Sequence, residues 1–311
     1  MLSGAESISR RRLLALFAAG PALGPALAAS QAAFTASVNV VNLLATVRDE
    51  NGKFIADLTP GDFVVEEDGQ PQTIRYFSRQ SDLPLTLGLL VDTSQSQWEV
   101  LSAELAATAA FFQQVLREGM DQAFLTRFDE RASLTQNVTG SRAKLEAALG
   151  AIEARVRGNP SIQGTLLYDA IADSSDLIMK RIKGRKALVL LTDGEDMGSK
   201  HSLDMAIASC QRADTVAYSV GIGTHLVRGR PALQTLSRRT GAGCFEVSPT
   251  QTVDAIYQAI EEELRNQYSI GYVPPTNGAP GKNGSEFHNV RVTVKRSGAT
   301  VQTRDGYYSG G

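Results

Sequence analysis

Apolar and polar residues alternate through residues 37–78, SVNVVNLLATVRDENGKFIADLTPGDFVVEEDGQPQTIRYFS, with turn signals at Glu50-Asn51-Gly52 and Glu67-Asp68-Gly69. A period of two places every second side chain on one face, so this stretch predicts a small antiparallel β unit. From Leu83 the pattern changes. LPLTLGLLVD reads as a strand, and a helix follows from about residue 98 to 118. Its Leu101, Leu105, Ala109, Phe112 and Leu116 recur at intervals of three and four and form one buried stripe. DQAFLTRFDE reads as a strand, RASLTQNV as a short edge strand, and SRAKLEAALGAIEARV and LLYDAIADSSDLIMKRI as helices, the former capped by Ser141. RKALVLLTD, TVAYSVGIG and GCFEVSP follow as strands, separated by helices around 201–213, 231–240 and 251–266. Continuous apolar runs such as residues 187–191 suit a parallel strand covered on both faces. The expected fold class is therefore α/β, a doubly wound, mostly parallel sheet over residues 83–267 with helices on both faces.

After residue 267 the text returns to strands, YSIGYVPP and HNVRVTVKRSGATVQTRDGYY, around a Gly/Pro/Asn-rich loop at 276–285. Neither flank has enough strands for a core of its own, and the ends of a doubly wound domain usually lie close together. Residues 37–78 and 268–308 are therefore expected to join into one β-sandwich-like domain with the α/β domain inserted between them.

The chain has 311 residues, 42% hydrophobic and 21% charged, with a formal net charge of −2. That is enough apolar material for a full core and gives no basic footprint, which excludes disorder and argues against a nucleic-acid partner. Residues 1–28 read as an address. Arg10, Arg11 and Arg12 precede an apolar stretch that ends in Ala26-Leu27-Ala28, and Ser9-Arg10-Arg11 with Leu13 and Leu14 looks like a twin-arginine export signal. Gly20, Pro21, Gly24 and Pro25 interrupt the segment before it could span a bilayer. The mature chain is expected to be exported, periplasmic or secreted, with no integral membrane span. Cys210 and Cys244 could pair in an oxidising compartment or stand as two separate thiols, the reading preferred here.

Three oxygen-rich segments carry the candidate chemistry: DTSQS after the first α/β strand, Gly164-Thr165 before the third helix, and the end of VLLTDGED. In open α/β sheets ligands bind beyond the carboxyl ends of the strands, where strand order reverses. A carboxylate directly after a buried strand is costly unless something pairs with it, which singles out Asp92. The segments contain no His or Cys, which favours a hard cation, Mg²⁺ above Mn²⁺ or Ca²⁺, over zinc. Taken singly, Asp92 and Ser94 could cap the first helix, and Asp193-Gly194 could be a plain turn.

DTSQS resembles the D-x-S-x-S signature of the von Willebrand factor type A fold, GTLLYDAI its threonine loop and VLLTDGED its T-D-G strand end. Together these resemble a metal-ion-dependent adhesion site. The flanking VRDENGKFIADLTPGDFVVEEDGQPQTIRYFS, LRNQYSIGYVP and TRDGYY extend the likeness to bacterial von Willebrand factor type A-related domain proteins over residues 37–308. Gln97 and Gln163 stand where an apolar residue and a glycine are frequent in that family. The resemblance implies that Ser94, Ser96 and Thr165 bind a divalent cation through hydroxyls. Asp92 and Asp193 would reach it directly or through water, and an exposed Asp or Glu of a partner protein would complete its shell. Trp98 is a candidate partner contact, although packing on its own domain accounts for it equally. Glu195 and Asp196 read as solvated turn residues.

The expected function is a metal-dependent protein-binding module rather than an enzyme. A non-adhesive structural metal site is the alternative, and a metal-dependent hydrolase a more distant one. His201, His225 and His288 fall on separate elements, no G-x-S-x-G elbow occurs, and neither Cys has an activating neighbour in sequence.

Overall fold

The computed structural model describes residues 40–79, 83–158, 164–223, 226–274 and 286–309. The expected export signal at 1–28, residues 37–39, Gln163 and His225 lie outside them, as does the side chain of Ser96. The chain first forms β1 (Val41–Arg48), β2 (Phe63–Glu67), β3 (Gln70–Gln72) and β4 (Ile74–Arg79). It then alternates through β5 (Leu85–Asp92), α1 (Trp98–Val115), β6 (Gln122–Phe128), β7 (Ala132–Thr139), α2 (Arg142–Gly158), α3 (Leu167–Asp173) and β8 (Arg185–Thr192). α4 (Leu203–Arg212), β9 (Val216–Gly221), α5 (Leu226–Thr240), β10 (Cys244–Glu246) and α6 (Val253–Arg265) complete that part. β11 (Tyr268–Tyr272), β12 (Phe287–Val294), β13 (Thr300–Gln302) and β14 (Gly306–Tyr308) follow.

The central sheet has the order β10-β9-β8-β5-β6-β7, parallel throughout except for the edge strand β7, which runs antiparallel to β6. Every residue of β5 and of β8 is buried. The reason is visible in the two faces. Leu85, Leu87, Leu89 and Val91 point into a cluster with Leu101, Phe112, Leu149, Tyr257 and Ile260 of α1, α2 and α6. Leu90, with Leu188 and Leu190, points into the opposite cluster with Ile171, Ile207 and Leu233 of α3, α4 and α5. The strand period of two persists, but both faces are apolar, which is why the text reads as a continuous hydrophobic run. The expected doubly wound α/β sheet is what the chain forms.

The flanking strands interleave in two further sheets, β13-β1-β11-β4 and β14-β12-β2-β3. Leu43 stands opposite Ile270, and Val65 opposite Val292. Each sheet takes strands from both sides of the α/β part, and their apolar faces share one core of Leu43, Val47, Phe63, Val65, Ile270 and Val292. Tyr268 packs edge-on to Phe63 at 5.3 Å, donates its hydroxyl to the Ile55 carbonyl at 2.8 Å and accepts the Leu58 N–H at 3.1 Å.

Polar contacts join this core to the α/β part. Arg48 pairs with Glu263 at 2.8 Å, and the buried Arg304 donates to the carbonyls of Asn42 and Gln211 and to Asp214. Gly241, with φ of +89°, admits the backbone of Thr303 and Arg304 so closely that a Cβ would lie 2.6 Å from the Arg304 nitrogen. α5 begins five residues before the expected residue 231 and carries Pro231 in its interior. The carbonyl that thereby lacks an intrahelical donor belongs to Val227, an exposed residue open to water. Cys210 and Cys244 are free thiols. Among the described residues no helix is long and apolar enough to cross a membrane.

Gly241→Ala would impose both a left-handed backbone strain and a clash with main chain. Loss of about 2–4 kcal/mol is expected, read as a fall in the urea midpoint at unchanged m-value.

Candidate metal-binding site

Strand order reverses between β5 and β8, and both strands end in oxygen-bearing side chains, Asp92 and Thr192. Asp92, the last residue of β5, is 1% exposed. Its Oδ1 accepts the Ser94 N–H at 2.9 Å and its Oδ2 the Thr192 hydroxyl at 2.7 Å. Thr192 Oγ1 in turn accepts the Gly194 N–H at 3.0 Å. Among the described residues no Lys, Arg or His forms an ion pair with Asp92. Burial pushes its carboxyl up to about 7 against the lowering effect of the Ser94 and Thr192 hydrogen bonds, and the nearby charge of Asp193 adds to the rise. Ser94 is the N-cap residue of the short 3-10 turn Gln95–Gln97 that leads into α1, and Gln97 is the N-cap residue of α1 itself.

Asp193 is 2% exposed and accepts the Glu195 N–H on Oδ1 at 3.1 Å. α5 presses against it through Gly229, where a Cβ would lie 2.1 Å from the Asp193 carbonyl oxygen. Thr165 is buried and pairs with Met197 in both directions, N–H to carbonyl at 3.1 and 2.8 Å. Leu166 N–H donates to the carbonyl of Asp129, and the buried Asp129 carboxylate takes the Thr93 hydroxyl at 3.0 Å and Arg127 at 2.6 Å. The loops after β5, β6 and β8 and the threonine loop are thus fastened to one another. Asp92, Ser94 and Asp193 form one group, and Thr165 hangs from the adjoining loops.

Asp196 differs from its expected role as a solvated turn residue. It accepts the Tyr168 N–H at 3.1 Å and the Ser199 hydroxyl at 2.6 Å, which ties the β8 loop to the start of α3. Gln97 is fully buried and reaches the Ile222 carbonyl at 3.4 Å, so the departure from the family pattern fastens the β9 loop. Trp98 is half-buried against the α1 side of the core, with its indole N–H buried and without an acceptor among the described residues.

Sequence reading missed Thr192, Asp129 and Glu104. Glu104 sits on the buried stripe of α1, three residues beyond Leu101, and that spacing was the available signal. Burial, and secondarily the charge of Asp92, pushes its carboxyl up to about 8, and among the described residues Oε1 has no hydrogen-bond partner.

The donor set is chemically suited to a hard cation: carboxylates and hydroxyls, one carboxylate buried without a basic partner, and no soft ligand. No family model and no curated protein matches the chain. Among solved structures it is similar to an aerotolerance-related membrane protein of Bacteroides fragilis carrying multiple mutations to serine (17% identity, TM-score 0.46, covering 58% of this chain and 98% of that one). It is also similar to proximal thread matrix protein 1 of the mussel byssus with a zinc-occupied MIDAS motif (16%, TM-score 0.49, 64% and 49%). A third is the vWF domain of the type V pili tip protein Mfa5 of Porphyromonas gingivalis (10%, TM-score 0.46, 58% and 94%). The sheet order of this chain gives it a doubly wound, mostly parallel α/β fold.

The two raised carboxyls set a pH dependence. Asp92 moves from 3.8 unfolded to about 7 folded and Glu104 from 4.5 to about 8, so the folded chain holds more protons than the unfolded chain in between. Stability of the metal-free chain should therefore fall as pH rises from about 4 to 8. Glu104→Gln should flatten the upper part of that slope and raise stability at pH 8 by about 1–2 kcal/mol, measured by urea unfolding in EDTA at pH 5 and 8. An unchanged slope would remove Glu104 from the electrostatics of the site.

Proposed function

We propose that the chain is an exported, metal-dependent protein-binding module. Ser94, Ser96 and Thr165 would hold a divalent cation, Mg²⁺ above Mn²⁺ or Ca²⁺, through hydroxyl oxygens, with Asp92 and Asp193 bound directly or through water. The observation that carries this reading is the buried Asp92 carboxylate at the switch point, which no basic side chain among the described residues neutralises. Neutral hydroxyl ligands leave much of the cation's charge uncancelled, and an exposed Asp or Glu of a partner protein would satisfy it. Met197, 65% exposed beside Thr165, and Val227, 74% exposed on the first turn of α5, offer apolar contacts flanking that carboxylate. Trp98 would add only the part of its ring that the core leaves open. Residues 1–28 would direct the chain to the periplasm or beyond.

The rival readings have less support. A purely structural ion is least needed where Thr165–Met197, Leu166–Asp129, Tyr168–Asp196 and Gln97–Ile222 already fasten the loops without one. Thiol nucleophiles are disfavoured because burial pushes Cys210 up to about 12 and Cys244 up to about 11. His201 is engaged with Asp169 at 2.7 Å and His288 with Asp68 at 2.8 Å, both away from Asp92.

Calorimetric titration with Mg²⁺ or Mn²⁺ at pH 8 should show one site, and Thr165→Ala or Asp193→Ala should weaken it at least about tenfold. Since Asp92 must lose a proton that it holds up to about pH 7, affinity should fall between pH 8 and pH 6. Capture of a partner from envelope extract should disappear in EDTA and with Asp92→Ala. Capture indifferent to both would sink the proposal.

A further inference from the structure

β8 carries a second anomaly at its other end. It begins with Arg185 and Lys186, 6% and 8% exposed, at the start of a strand that is buried throughout. Both residues line a cavity of about 370 Å³ at the amino ends of the parallel strands, opposite the metal-binding loops. The cavity lies where β1 and the β13–β14 connection meet the α/β part, so Asn42, Leu44 and Arg304 also face it. Among the described residues four cations, Lys183, Arg185, Lys186 and Arg304, line it with a single carboxylate, Asp214.

That carboxylate is already taken, since Asp214 pairs with Arg304 at 2.8 Å. Arg185 is held by neutral acceptors, the carbonyls of Leu264 at 2.7 Å and Leu83 at 3.2 Å. Arg304 Nε is buried with no acceptor among the described residues. Lys186 is 8% exposed and makes no hydrogen bond and no ion pair among the described residues, and its ammonium nitrogen is not one of the fully buried polar atoms. Burial of the side chain lowers the pKa of Lys186 despite the opposing charge of Asp214. The surroundings supply excess positive charge, guanidinium and ammonium donors, and room, and among the described residues the one lining carboxylate is already paired.

We propose that this cavity binds a small phosphate-type oxyanion, as inorganic phosphate or as the phosphate of a small ester, with the Lys186 ammonium as its central contact among the four lining cations. Phosphate suits the site because it presents several strong acceptor oxygens and up to two negative charges to a cluster of Lys and Arg donors. The site is separate from the metal-binding loops, so it stands or falls apart from the adhesion reading.

The test is binding of sodium phosphate and of glycerol 3-phosphate to the full chain in EDTA, with ionic strength matched by sodium chloride and citrate as a polycarboxylate arm. Phosphate or its ester should raise the thermal midpoint beyond the chloride control, and titration should give a saturable site. Lys186→Met should weaken that binding at least tenfold, while Arg291→Ala, an exposed charge on β12, should leave it unchanged. The wild-type chain supplies a readout independent of variant folding, because phosphate should protect Lys186 from acylation, read by mass spectrometry. Equal stabilisation by chloride, binding of citrate but not phosphate, undiminished binding by a folded Lys186→Met chain, or acylation of Lys186 unaffected by phosphate would each overturn the proposal.

Discussion

The hydrogen bond from the Thr192 hydroxyl to the Asp92 carboxylate is the constraint on which the candidate metal site depends. It joins the carboxyl ends of the two central strands, and it does so with a neutral donor. A lysine or arginine in that place would cancel the charge and leave nothing for a cation to bind. A threonine fixes the carboxylate without cancelling its charge, while burial raises its pKa. Around that bond the loops are secured by backbone hydrogen bonds through Thr165, Met197, Asp129 and Leu166. The hydroxyl and carboxylate side chains are therefore held by a frame that is already closed.

The two central strands are polar at opposite ends for related reasons. Their middles are apolar on both faces because helices cover both, so charge is tolerated only where the strands leave the sheet. β5 and β8 meet at one end in Asp92 and the Thr192-Asp193 turn, and β8 opens at the other in Arg185 and Lys186. The flanking β strands complete this second end by bringing Asn42 and Arg304 against it. Gly241 permits that approach, and Arg304 holds it with bonds to both parts of the chain.

Much of this was legible in the text. Alternation marked the flanking strands, and the stripe from Leu101 to Leu116 marked α1. The unbroken apolar run into Asp92 marked both the central strand and the buried carboxylate at its end. What escaped was polarity inside elements. Glu104 hides on the buried face of a helix, Asp129 behind an edge hairpin, and Asp196 in a loop where a carboxylate ordinarily faces water. Periodicity reports which face a residue occupies, but it does not report whether a polar atom on that face finds a partner.

By itself the sequence determined the class of fold, the order of its strands and helices, and the oxygen-rich character of three separated loops, because hydrophobic period and side-chain chemistry are local properties. The tertiary structure alone decided which of those oxygens meet. It set Thr192 against Asp92, hung Thr165 on Met197, and placed Lys186 among other cations at the amino end of β8. Each of these depends on strand register and on contacts between residues far apart in sequence, and the cost or value of a buried charge is fixed only by the groups that such contacts place around it.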